Sequence, residues 1–350
     1  MSTTPPGKDK GIIPMTTGVQ IPAAVGLAVL IFISITGNAM TVLAYLRNKQ
    51  LRSVYDLYLF NLEITDLLIS AISLPFYTVY TLMENTWPFG HGFCVVYLMC
   101  DFTLVFQSML LMLIISIDRL LLIQMGPSYM IRITKRVAIA QVAGTWLFSF
   151  LMFCPLIIAW DVYVGNSLAE DMVCEAKFMH DSVVVIIHAV VAFIIPFVCM
   201  TSVNVFIYVK IKQRLMMKQA GNIPVSTINP DNQTATAAPK PRTDRNENRR
   251  HLKAAKFLTM IVAAFWLFWS PMAFTTVLIS FWDDCLNQSL YVVFYYLVWV
   301  KSSVNPFLYA YNSPRYRMNF QRFLSCNSRH QFRKREQNVE SAITVQTSPD

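Results

Sequence analysis

The hydrophobic pattern of this 350-residue chain consists of long apolar runs separated by polar segments. Seven runs contain roughly 20 or more mostly apolar residues, the length that a helix needs to cross a bilayer. They cover residues 21–46, 57–80, 93–123, 137–160, 183–208, 257–281 and 290–309. Strand-length alternation is missing, and lipid accepts only helices or closed barrels. The pattern therefore predicts an all-α membrane protein, a bundle of seven transmembrane helices.

The polar segments divide the rest of the chain. We expect residues 1–20 to form an N-terminal tail and residues 21–311 to form the membrane domain. Within that domain we expect a disordered cytoplasmic loop at about residues 213–250, because residues 219–248 are rich in Pro, Thr, Asn and Ala. Residues 312–325 place aromatic side chains on one helical face between basic residues, which predicts a short amphipathic eighth helix on the membrane surface. Residues 326–350 then form a tail.

Composition and charge support this division. The chain is 55% hydrophobic and only 14% charged, whereas soluble domains carry about 25% charged residues. Its net charge of +9 is concentrated in the loops after the first, third and fifth runs. Basic loops stay on the cytoplasmic side, so we expect an extracellular N-terminus and a cytoplasmic C-terminus. The same distribution explains the positive charge without a nucleic-acid partner.

Three ionisable residues lie well inside the runs: Asp66, Asp101 and Lys301. Charges at membrane depth are costly and mark functional sites by default. Counted from the ends of the runs, Lys301 matches the depth of Asp66 better than that of Asp101. We therefore expect Lys301 to pair with Asp66, which leaves Asp101 open to a ligand amine. Two alternatives stay open: Lys301 pairs with Asp101, or Asp101 faces a water-filled vestibule and binds no ligand.

The third run ends in a second acid. Asp118 lies seventeen residues after Asp101, about 25 Å along a helix, and Arg119 follows it directly. If Asp101 lies inside the membrane near one face, the Asp118-Arg119 pair lies at the other face. We interpret Asp101 as the anchor of a ligand and Asp118-Arg119 as a switch.

Aromatic residues lie near the same membrane face as Asp101. Rings beside a buried carboxylate favour a cage for an ammonium group, and Trp269 lies deep enough in its run for that role. For Tyr295 and Tyr296 the cage and an interfacial aromatic belt are both open.

Motifs in several runs resemble those of rhodopsin-type (class A) G-protein-coupled receptors. The resemblance covers residues 37–324, and its motifs are specific because they occur in order on seven runs. They are Asn61-Leu62-Glu63-Ile64-Thr65-Asp66, Asp118-Arg119, Trp269-Ser270-Pro271 and Asn305-Pro306-Phe307-Leu308-Tyr309.

The resemblance implies roles for individual residues. The disulfide of the family corresponds to Cys94 and Cys174, and the arginine that meets the G protein corresponds to Arg119, held by Asp118 at rest. The other implied switch residues are Met109, Pro196, Phe265, Asn305, Pro306 and Tyr309. The family's partners also include arrestins and receptor kinases, and its members lie in the plasma membrane.

Within the family, Asp101 corresponds to the ammonium-binding aspartate of biogenic-amine receptors. Trp299 and the residues around Cys174 resemble the third and fourth histamine-receptor subtypes, which couple to inhibitory (Gi/o) G proteins. The ligand-binding residues implied for this chain are Asp101, Phe102, Val105, His188, Ala192, Trp269, Met272, Tyr295 and Trp299.

The chain also departs from its subgroup. Ala192 replaces the second acid of those histamine receptors, and His188, one turn away, is the candidate replacement. His251 stands where the family has an acid that pairs with the switch arginine. Lys301 replaces an asparagine that helps to bind an internal sodium ion, and we expect its ammonium group to occupy the place of that ion.

Three residues complete this lysine site: Asp66, Ser108 and Asn305. Lys301 does not occupy the position of the retinal lysine of opsins, which corresponds to Trp299.

Asn287 begins an extracellular glycosylation sequon, and Cys326, just after the amphipathic helix, is a palmitoylation candidate.

These observations predict a receptor for a small, histamine-like amine that signals through Gi/o. We expect that it is not an enzyme, because the runs hold no paired His or Cys ligands for a metal and no Ser/His arrangement at catalytic spacing, and we expect no cofactor or metal. The alternatives are a receptor for acetylcholine, serotonin or a trace amine, a constitutively active orphan receptor, and, from a different class, an ion-coupled transporter or proton pump.

Overall fold

The computed structural model describes residues 17–49, 51–164, 173–220, 242–282 and 288–324. In this part of the chain, seven long helices precede a shorter eighth one. The first four are α1 (Thr17–Arg47), α2 (Val54–Leu82), α3 (His91–Met125) and α4 (Lys135–Val164). Helix α5 joins Ser182–Ala189, Val190–Ile194 and Ile195–Ala220, and it is followed by α6 (Arg242–Phe281), α7 (Gln288–Asn312) and α8 (Pro314–Leu324).

Helices α1 to α6 are long and apolar enough to cross a membrane. Helix α7 has 25 residues, but its polar side chains reduce its mean hydropathy. Those side chains are buried inside the bundle and do not face lipid: Lys301, Ser302, Ser303 and Asn305. The predicted all-α fold of seven transmembrane helices is confirmed.

Helix α3 lies at the centre of the bundle. It packs against α2, α4 and α5, while α1 packs against α2 and α7, and α6 packs against α7. Its buried residues include Leu111, Met112 and Ile115, none of which is accessible to solvent. Asp101 and Asp118 lie on this same helix and are also buried, so the two acids face the interior of the bundle.

Local sequence determines where two of the helices begin. Ser53 forms a capping box with Asp56: its hydroxyl accepts from the Asp56 amide at 3.1 Å, and the Asp56 carboxylate accepts from the Ser53 amide at 3.0 Å. Asp181 accepts from the amides of Val183 and Val184, each at 3.0 Å. Both arrangements satisfy backbone donors that have no partner within the first turn.

Two helices contain a π-helical turn just before a proline. Ile69–Ser73 precedes Pro75 in α2, and Val190–Ile194 precedes Pro196 in α5. Proline has no amide hydrogen to donate to the preceding turn, and a π turn often marks a functional region of a helix. Both turns lie near the predicted ligand site, and the second one contains Ala192.

The structure differs from the prediction for the loop at residues 213–250. Helix α5 continues to Ala220 and α6 begins at Arg242, because the flanking Gln, Lys, Arg and Met residues are good helix formers. Residues 221–241 lie outside the described part of the chain. The same is true of residues 1–16, Asn287 and Cys326.

The predicted eighth helix, α8, lies against the helix bundle. Tyr316 and Phe320 are buried against the bundle, whereas Leu324 is exposed. The guanidinium group of Arg47 lies 5.5 Å from the centre of the Phe323 ring. This contact ties α8 to the end of α1.

Candidate functional site

A cavity of about 920 Å³ opens at the end of the bundle that carries the Cys94–Cys174 disulfide, here called the disulfide end. The disulfide predicted from the family resemblance is confirmed, and it joins the start of α3 to the segment before α5. All nine residues predicted to bind the ligand line the cavity: Asp101, Phe102, Val105, His188, Ala192, Trp269, Met272, Tyr295 and Trp299.

Asp101 lies on the cavity wall and is only 3% exposed. One carboxylate oxygen accepts from the indole nitrogen of Trp299 at 3.2 Å, and the other accepts from the hydroxyl of Tyr295 at 3.2 Å. Among the described residues, no basic side chain forms an ion pair with it. The carboxyl group therefore meets neutral donors on one side and the cavity on the other.

An aromatic group surrounds this carboxylate. The ring of Tyr295 stacks on Tyr77 with centroids 4.7 Å apart, and Trp299 meets both rings edge-on at 4.8 and 4.9 Å. Aromatic faces attract a cation, so carboxylate and rings together suit an ammonium group.

Tyr77 lines the cavity but was not among the residues predicted to bind the ligand. It lies two residues after Pro75, and the π turn before that proline determines which way the following residues face. No pattern in the sequence announces that turn.

His188 occupies a second aromatic group in the cavity. Its ring centroid lies 5.9 Å from Phe102, 5.5 Å from Phe153 and 5.9 Å from Phe178. Ala192, one turn further along α5, is buried and offers no polar atom in its side chain. The imidazole is therefore the polar group that α5 presents at this level.

The floor of the cavity leads toward the centre of the bundle through Trp269. Its ring stacks on Phe193 at 5.8 Å and on Phe265 at 5.4 Å. Phe265 is inaccessible to solvent, as is nearly all of Met109, and Pro196 is buried as well. These three predicted switch residues are thus buried inside the bundle, and Phe265 contacts the cavity floor through Trp269.

A polar cluster lies deeper in the bundle around Asp66. Lys301 Nζ lies 3.0 Å from the Asp66 carboxylate and also donates to the hydroxyl of Ser108. Ser108, Ser302 and Asn305 donate to Asp66 at 3.2, 2.7 and 2.5 Å. The structure joins Lys301 to Asp66 and not to Asp101.

One further acidic residue, which was not predicted as a site residue, lies in the middle of a membrane run. Glu63 is 0% exposed and lies one helical turn before Asp66. It was overlooked because it falls within the family motif that contains Asp66. Its position in the middle of an apolar run was the signal that could have revealed it.

The opposite end of the bundle, here called the Arg119 end, contains the predicted switch. Arg119 lies 3.5 Å from the Asp118 carboxylate, and its guanidinium carbon lies 3.5 Å above the centre of the Tyr55 ring. Tyr129, in the segment after α3, donates to the other oxygen of Asp118. Burial and this hydrogen bond raise the pKa of Tyr129, so the phenol stays protonated and continues to donate.

Comparison with known proteins identifies seven-transmembrane receptors. The sequence profile of the family described as 7 transmembrane receptor (rhodopsin family) matches residues 37–309. The chain is 29% identical to the 5-hydroxytryptamine receptor 4 of Cavia porcellus, over 86% of this chain and 79% of that protein. It is 24% identical to the histamine H4 receptor of Mus musculus, over 95% and 98%, and 31% identical to the muscarinic acetylcholine receptor M4 of Gallus gallus, over 52% and 37%.

Proposed function

Because this chain belongs to the rhodopsin family of seven-transmembrane receptors, we propose that a small cationic amine binds at Asp101 and that the occupied receptor activates a heterotrimeric G protein of the inhibitory (Gi/o) class. The chain is a G-protein-coupled receptor in a membrane and not an enzyme. Its matched relatives are receptors for biogenic amines.

The environment of Asp101 is the observation that carries the amine proposal. A buried carboxylate without a cation is costly, because burial removes water that would stabilise its charge. Tyr295 and Trp299 offset part of this cost through neutral hydrogen bonds. An ammonium group entering the cavity supplies the missing positive charge and gains about 0.5–2 kcal/mol from each well-placed ring.

The ammonium proposal fits every relative named above, because histamine, 5-hydroxytryptamine and acetylcholine all carry a cationic nitrogen. A histamine-like ligand is supported by the resemblance to the histamine H4 receptor. His188 supplies a hydrogen-bonding partner for the ligand's second polar group, since Ala192 supplies none. The 5-hydroxytryptamine relatives, which match at higher identity, favour an indole amine as the second candidate.

We infer the orientation of the receptor in the membrane from the distribution of charge. Basic residues are concentrated in the loops at the Arg119 end, which we place in the cytoplasm. Arg119, held by Asp118, then faces the G protein, and the cavity at the disulfide end opens to the outside. The resemblance to the third and fourth histamine subtypes supports Gi/o coupling, with arrestin and receptor kinases as further partners at the Arg119 end.

The test is inhibitory G-protein activation in cells, with a panel of amines led by histamine and 5-hydroxytryptamine. Asp101→Asn removes the charge and keeps the shape of the side chain, and we expect it to reduce the potency of the active amine about 100-fold or more. Glu84→Gln is the matched control, because Glu84 also lines the cavity but has no part in the proposed ammonium site.

Three outcomes would contradict parts of the proposal. Equal responses of the wild type and Asp101→Asn at equal surface expression would remove Asp101 as the anchor. High basal signalling without a response to any amine would favour the constitutively active alternative. A substrate-dependent current without G-protein activation would favour the transporter.

A further inference from the structure

The most unusual buried group outside the ligand site is the carboxyl of Glu63. It lies in α2, where it is fully shielded from solvent. The titratable groups that face it are Asp66 on its own helix, Lys301 and Tyr309 on α7, and Tyr316 on α8. In the described part of the chain, one cation, Lys301, thus lies near two buried carboxyl groups.

Four side-chain donors in this region go to Asp66. Its two oxygens accept from Lys301, Ser108, Ser302 and Asn305. Among the described residues, Glu63 has one neighbouring hydroxyl able to donate to it, that of Tyr309, and no basic side chain forms an ion pair with it. A buried carboxylate ion requires several donors or a cation. Asp66 meets this requirement, and Glu63 does not.

The hydroxyl groups beside Glu63 point to the form that it takes instead. Thr41 and Tyr309 lie next to its carboxyl. The Thr41 hydroxyl already donates its proton to the carbonyl of Gly37 at 3.1 Å. A hydroxyl has a single proton, so Thr41 presents only lone pairs to Glu63. A carboxylate ion would be repelled by these lone pairs, because neither group has a proton to donate. A carboxylic acid can donate its proton to them.

We propose that Glu63 holds a bound proton in this conformation, donating it to Thr41 while its carbonyl oxygen accepts from the hydroxyl of Tyr309. The acid joins α1, α2 and α7 at one point. Tyr309 ends the Asn305–Tyr309 segment that we expect to move on activation. Glu63 therefore acts as an internal latch that favours the resting position of α7.

This latch is independent of the identity of the ligand. It also differs from the Lys301–Asp66 pair, which neutralises charge, because Glu63 stays neutral. The family's acid that pairs with the switch arginine is replaced here by His251. An internal hydrogen bond to Tyr309 offers another means of restraining basal activity.

The direct test is infrared spectroscopy of the purified, ligand-free full-length receptor in lipid. We expect a carbonyl stretching band of a protonated carboxylic acid, and its disappearance in Glu63→Gln. The amide of that variant can donate to Thr41 and accept from Tyr309, so it should fold with an unchanged melting temperature. The matched variant on the same helix is Asp66→Asn, which removes the negative charge that pairs with Lys301. We expect its melting temperature to fall by about 10 °C.

Basal G-protein activation provides the functional measurement. Glu63→Ala and Tyr309→Phe each break the latch, so each should raise basal signalling several-fold at equal surface expression, while Glu63→Gln should restore the wild-type level. An infrared band that is the same in wild type and Glu63→Gln would overturn the proposal. So would a loss of stability in Glu63→Gln as large as that in Asp66→Asn, because it would show that Glu63 is ionised.

Discussion

Lys301 Nζ lies 3.0 Å from Asp66 Oδ1, and the two side chains are 3% and 0% exposed. The charges meet in the middle of the bundle, where α2 and α7 pack near α3. The hydroxyl of Ser108 bridges them, and Asn305 binds the other oxygen of Asp66. The ammonium group is therefore held by the residues that the family resemblance assigns to an internal sodium ion.

This arrangement predicts a receptor that does not respond to sodium. Lys301 fills the site and supplies the positive charge, so sodium has neither space nor an unpaired carboxylate to bind. The melting temperature of the ligand-free receptor should be equal in sodium chloride and in the chloride of a bulky organic cation at the same ionic strength. Lys301→Asn should restore a stabilising effect of sodium. A clear loss of agonist affinity on adding sodium to the wild type would contradict the prediction.

The same pair predicts a strong coupling between two substitutions. Lys301→Met leaves Asp66 without its cation, and Asp66→Asn leaves Lys301 without its anion. Breaking a buried pair costs about 3–5 kcal/mol, so each single variant should lower surface expression and melting temperature. The double variant removes both charges and should recover part of the loss. Additive losses would show that the two residues act independently.

Sequence and elementary chemistry predict much of this architecture. Apolar runs of spanning length place the helices to within a few residues at most ends, because burial in lipid depends on length and composition alone. The depth of Lys301 already favours Asp66 over Asp101, since helical rise converts residue number into height. Matching heights favours this pair, and the contact of Lys301 with Asp66 in the structure decides between the two acids.

Other features depend on details that periodicity does not record. Tyr77 joins the aromatic group around Asp101 beyond a π turn that no motif announces. The stacking of Arg119 on Tyr55 depends on how α2 and α3 cross. Glu63 lies within the same motif as Asp66 and was not predicted as a site residue. Its proposed role depends on the Thr41 hydroxyl, which already donates its own proton to Gly37.

The aromatic group around Asp101 predicts a graded effect on amine affinity. Trp299→Phe keeps a ring but removes the indole donor to Asp101, and a hydrogen bond to a charged group contributes about 1.5–3 kcal/mol. We expect the potency of the active amine to fall about tenfold to a hundredfold. Tyr77→Phe keeps its ring and should change potency little. Equal effects of the two variants in the same signalling assay would argue against a donor role for Trp299.

Orientation can be tested with two sequons in the same chain. Asn287-Gln288-Ser289 lies in a loop that we place outside, and Asn232-Gln233-Thr234 lies in a loop that we place in the cytoplasm. Only the first should carry a glycan. Treatment with a glycosidase should reduce the mass of the wild type and of Asn232→Gln but not that of Asn287→Gln. A glycan at Asn232 would reverse the proposed orientation.

The contacts of Arg119 predict which side chains stabilise the resting state at the Arg119 end of the bundle. Tyr129 donates to Asp118, and Tyr55 lies beneath the Arg119 guanidinium group. Tyr129→Phe removes one charge-assisted hydrogen bond, which leaves Asp118 less firmly placed to hold Arg119. We expect basal G-protein activation to rise several-fold, with amine affinity at Asp101 raised and not lowered, because an easier switch favours the state that binds agonist.

Tyr58→Phe is the control for this variant, since its hydroxyl bonds Gln141 and not Asp118. The increase should also be independent of pH across the physiological range, because the raised pKa keeps Tyr129 protonated throughout. Unchanged basal activity in Tyr129→Phe, or an equal rise in Tyr58→Phe, would mean that Asp118 holds Arg119 without help from the phenol.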